Sequence, residues 1–81
     1  MNFPALSPGQ FAVAQAELDT GVVLTANGQH RHVGEGEAFR VFGSLDAARS
    51  FARSVVSARP RVECGVYDSE RRHIERITAQ S

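Results

Sequence analysis

The chain has 81 residues, with nine Arg and no Lys against nine Asp plus Glu, so its formal net charge is zero; hydrophobic residues make up 42%. Two full domains do not fit this length, because domains take at least about 50 residues and commonly 100–150. A normal apolar content without net charge excludes a long disordered chain, and no apolar run approaches the roughly 20 residues that span a bilayer.

Residues 1–10 carry Pro4, Pro8 and Gly9 and read as a lead-in to a single α+β domain over 11–81. The start has no basic run and no apolar segment of signal-peptide length, and the one cysteine, Cys64, cannot close an intrachain disulfide. Both features fit a cytoplasmic protein with no membrane contact.

From Phe11 to Leu18, Ala12, Ala14, Ala16 and Leu18 fall on one side and Phe11 and Val13 on the other. That pattern reads as a strand, with a helix over 10–18 as the alternative for so alanine-rich a stretch. Asp19-Thr20-Gly21 supplies a turn, and the β-branched Val22–Thr25 completes a first hairpin. Asn27-Gly28 is a second hairpin signal, because both residues tolerate positive φ. His30 to Val33 reads as a strand continuing from it, interrupted by Gly34-Glu35-Gly36-Glu37. Strand character resumes at Ala38–Phe42, with Phe39 and Val41 opposite Ala38, Arg40 and Phe42; the second and third strands can form one bent ribbon.

Ser44 is a good N-cap, and Asp46 places a carboxylate in the first helical turn. Leu45, Ala48, Phe51, Ala52, Val55 and Val56 recur at three- and four-residue spacing, which predicts a helix over about 45–58 that Pro60 stops. Val62, Cys64 and Val66 then alternate with Glu63, Gly65 and Tyr67, a strand with one dry side. Asp68–Arg71 is a polar turn. In the last strand, His73 to Thr78, Ile74 and Ile77 are out of register, which a bulge or burial on both faces reconciles. The order β-β-(β)-α-β-β predicts a mostly antiparallel sheet of four or five strands with one helix on one face.

His30 and His32 share a side of a strand, but a zinc site needs three or four ligands, and nothing in the spacing brings Cys64 or His73 to them. Cys64 alternates with valines and reads as core. The two carboxylates of the Gly34–Glu37 stretch argue against a phosphate cradle. No nucleophile elbow is present, and Glu35 and Glu37 lack an apolar surround to separate their pKa values. Neither catalysis nor a metal or other cofactor is expected.

Charge is the more informative feature. Residues 1–40 hold two Arg against four acids, and residues 41–81 hold seven Arg against five. Arg49 and Arg53 stack one turn apart on the helix, Arg59 and Arg61 flank its end, and Arg71-Arg72 lie near the last turn. Such a face suits an acidic partner or a phosphate backbone; alternatively the same guanidiniums solvate the helix and pair with glutamates on the sheet. Tyr67 shares its side with Glu63, and Gly65 leaves a shallow spot between them, an arrangement suited to an interface anchor. One helix covers one sheet face, so Phe39, Val41 and Tyr67 are expected to form an apolar patch that a partner or second copy covers. The functional expectation is a non-enzymatic protein-binding or regulatory module, working as a homodimer or with another protein. The alternatives are a nucleic-acid accessory protein using Arg49, Arg53, Arg59 and Arg61, or a module built on His30, His32 or His73.

Overall fold

A computed structural model describes residues 4–24 and 38–79. Four strands and one helix follow in the order β1 (Phe11–Glu17), β2 (Phe39–Phe42), α1 (Leu45–Ala58), β3 (Val62–Tyr67) and β4 (His73–Ile77). The sheet order is β2-β1-β3-β4, and every neighbouring pair is antiparallel. This is the expected α+β architecture, and residues 11–17 are strand, not helix. Pairing on both edges outweighs the helical preference of their alanines.

The first hairpin is shorter than its sequence suggests. Gly21, at φ +73°, closes the turn by donating its N–H to the Glu17 carbonyl. Val23 then makes an isolated bridge to Ala16, and the Leu24 N–H donates to the Gln15 carbonyl. β2 takes up the same edge of β1 at once, pairing Phe39 with Ala14 and continuing to Phe42 opposite Phe11. Residues 22–24 and 39–42 thus lie along the same edge of β1. The expected Asn27-Gly28 turn, the strand at His30–Val33 and the Gly34–Glu37 interruption lie outside the described residues.

Opposite residues in the registers separate the two faces. Val13 and Gln15 of β1, Val62, Cys64 and Val66 of β3, and Ile77 of β4 face the helix. Ala48, Ala52 and Val56 bury the helix against this layer, with Leu45, Phe51 and Val55 half-buried at its margins. Small side chains at Ala48 and Ala52 let the helix approach closely, so the core is built mainly from valines and alanines. Ser44 caps the helix: its hydroxyl accepts from the Ala47 N–H at 3.1 Å, a contact worth about 1 kcal/mol. Arg59 ends it by donating its backbone N–H to Val55.

In β4, Glu75 pairs with Val66 but His73 pairs with Tyr67, so Ile74 is an extra residue. That bulge puts Ile77 in the core and leaves Ile74 exposed. The preceding turn is held by Asp68, whose Oδ1 accepts from the N–H groups of Glu70 and Arg72 at 2.8 and 2.9 Å.

Candidate functional site

The sheet face away from the helix carries Ala12, Ala14 and Ala16 on β1, Phe39 and Val41 on β2, and Glu63, Gly65 and Tyr67 on β3. β2 and β3 flank β1, so their backbones stand about 10 Å apart. Phe39 and Tyr67 nevertheless meet, with ring centroids 5.7 Å apart and planes at 83°, an edge-to-face contact. They close over the strand between them because that strand presents only methyl groups. His73 adds a third ring, 5.2 Å from Tyr67. Gly65 makes room for this arrangement: a Cβ there would lie 3.1 Å from a Tyr67 ring carbon and 3.4 Å from the His73 ring. The rings of Tyr67 and His73 crowd Gly65 itself, and a shallow cavity of about 220 Å³ remains beside them, bounded by Ala16, Glu63 and Arg76.

This modifies the expected apolar patch. Ala12 is fully buried although the helix lies on the other side, and Phe39 and Tyr67 are half-buried. Val41, at 42% exposed, is the member of the expected set that stands open. Glu63 and Arg76 seal the β4 side of the rings with a 2.6 Å hydrogen bond from the guanidinium Nε to the carboxylate.

The helix side carries the arginines, and most of those with described contacts are engaged. Arg49 donates through Nε to Glu75 on β4 at 2.8 Å, so it bridges helix to sheet instead of standing in solvent. Arg40 lies over the Phe51 ring at 5.2 Å. Arg72 pairs with Asp68 and Glu70 in the turn. Arg59 and Arg61 are exposed beyond the helix end, where the Arg61 carbonyl accepts from the Leu18 N–H. Like that of Arg61, the Arg53 side chain makes no ion pair or hydrogen bond among the described residues. It lines an open groove of about 600 Å³ between the C-terminal half of α1 and β4. Val56, Ile77 and Pro60 contribute apolar surface there, and residues 75–79 run along one wall.

The two sets of expected site residues thus lie on opposite faces. Phe39, Val41 and Tyr67 come together, whereas Arg49 and Arg53 share a helix flank but separate in role. His73, a candidate in the alternative His-based reading, packs on Tyr67, whereas Arg76 and the groove wall of β4 were not expected as site residues. His30 and His32 lie outside the described residues, and among the described residues no group of three or more His, Cys, Asp or Glu could hold a metal ion. Burial pushes the Cys64 thiol up to about 11, with the neighbouring Glu63 carboxylate adding to the rise. A thiol in that state is a packing group, not a nucleophile. No helix among the described residues is long and apolar enough to cross a membrane. No known protein family, curated protein or solved structure matches the chain.

Proposed function

We propose that this chain is a small, non-enzymatic protein-binding module whose partner docks in the groove between α1 and β4. The observation that carries the reading is Arg53, without an ion pair among the described residues, beside the apolar surface of Val56, Ile77 and Pro60. Three other arginines have partners within the chain: Arg49 has Glu75, Arg76 has Glu63, and Arg72 has Asp68 and Glu70; Arg61, which has none among the described residues, does not line the groove. A groove with apolar contact and one uncommitted guanidinium favours a partner of mixed character. It disfavours a phosphate backbone, for which a net basic domain is usual; this chain is neutral.

Selection from a phage-displayed random peptide library against the whole chain tests the reading. Peptides whose binding is lost on narrowing the groove with Ser57→Trp support it. Failure to enrich any peptide sensitive to that change contradicts it. Size-exclusion chromatography with light scattering separates the homodimer reading. A monomer at tens of micromolar supports a different protein as partner, and a dimer that shields Val41 would move the contact to the aromatic face and refute the groove.

A further inference from the structure

We infer that the groove takes an extended, acidic segment of another protein, added as a fifth strand along the outer edge of β4. This rests on the protein-binding reading above and gives it a binding mode and a partner chemistry. β4 ends the sheet order among the described residues, so one side of its backbone has no strand neighbour. Such an edge is a template for a further strand. The groove runs along this same edge, because five consecutive residues, 75–79, line it.

A strand added there alternates its side chains between the two faces. Those on the helix side enter the groove, where they meet Val56, Ile77 and Pro60 and the Arg53 guanidinium. Two groove-facing residues two apart in the partner should therefore be one apolar and one acidic. The acid is selected because the carboxylate that lines the groove, Glu75, is already committed to Arg49. Arg53 remains, and its planar fork suits a carboxylate.

The pattern of β4 disfavours a second copy as the occupant. Antiparallel β4 strands related by a two-fold axis normal to the sheet would pair about one residue. Centring on Glu75 opposes two carboxylates, and centring on Arg76 opposes two guanidiniums, both unfavourable. Centring on Ile74 brings the bulge into the ladder. These are the devices by which edges resist self-pairing.

The test uses a fluorescein-labelled peptide, Thr-Val-Thr-Glu-Thr-Val-Thr, titrated into the whole chain and followed by anisotropy. Saturable binding is expected, weakened about tenfold or more by Arg53→Glu. Replacing the peptide's Glu with Lys should weaken binding to the natural chain and restore it to Arg53→Glu. A central Pro in the peptide, which removes a ladder donor, should abolish binding. Arg53 is exposed, and circular dichroism checks that the variant keeps its fold. Equal binding of the Glu and Lys peptides, undiminished binding of the Pro peptide, or displacement by an equal concentration of single-stranded oligonucleotide would each overturn the proposal. Absence of binding by every probe would overturn the strand mode; the wider reading falls only if library selection also returns no groove-dependent peptide.

Discussion

Replacing Phe39 and Tyr67 singly and together by Leu tests whether the face away from the helix is closed by the chain's own rings. Leu preserves most of the apolar volume and removes the aromatic contact. Phe39 touches Tyr67 at 5.7 Å, and Tyr67 also touches His73 at 5.2 Å. Edge-to-face pairs at such distances contribute about 0.5–1.5 kcal/mol beyond buried area. Loss of the Tyr67 contact in Phe39→Leu should therefore cost at least about 1 kcal/mol, and loss of both the Phe39 and His73 contacts in Tyr67→Leu at least about 2 kcal/mol. The double mutant should cost about 1 kcal/mol less than the sum, because the shared contact is counted twice. Urea unfolding with unchanged slope supplies the four free energies. A control cycle pairing Phe39→Leu with the helix-side Val55→Ala should be additive within about 0.5 kcal/mol. A Phe39–Tyr67 coupling within about 0.3 kcal/mol of zero, or one no larger than the control's, would refute the idea that the rings meet over β1.

Three further outcomes follow from the packing and electrostatics. Ala52→Leu forces a larger side chain between helix and sheet where Ala52 is fully buried, and should destabilise the fold by about 1–3 kcal/mol in the same assay. The Asp68 carboxyl is held below its usual value of 3.8, first by the Arg72 backbone N–H, with the Glu70 N–H and the Arg72 guanidinium adding to the effect against partial desolvation. A depressed folded value means that its stabilisation is present above the unfolded pKa and is lost as pH falls through the folded one. A carboxyl-carbon NMR titration should accordingly show a midpoint below 3.8, and a midpoint at or above it would contradict the turn geometry. Cys64 should resist a thiol-reactive disulfide reagent at pH 8 in the native chain and react fully in urea, since its thiol is buried and titrates near 11; rapid native reaction would place it outside the core.

Much of this fold is legible because local periodicity and burial agree. Leu45 to Val56 recur at helical spacing, Ser44 marks the start, and Pro60 the end. Val62, Cys64 and Val66 alternate cleanly because one side of β3 meets the helix. The disagreement between Ile74 and Ile77 signalled the bulge in β4. The site was less legible because its contacts cross the chain. That Phe39 meets Tyr67 depends on β1 lying between β2 and β3, which is a matter of sheet order and not of spacing. The alternating alanines of β1, which first blurred the choice between strand and helix, turn out to be what lets the rings close. The partner of Arg49 is Glu75, 26 residues later, so helical spacing alone does not distinguish Arg49 from Arg53. Equal numbers of acids and arginines similarly conceal a guanidinium that, among the described residues, has no ion pair and lies beside the last strand of the sheet.

The most direct test of the central claim is a backbone amide NMR titration of the whole chain with a library-selected peptide. The account predicts shifts concentrated at Arg53, Ser57 and residues 75–78, the walls of the groove, with Phe39, Val41 and Tyr67 unmoved. Shifts concentrated at Phe39, Val41 and Tyr67, with the groove silent, would contradict it.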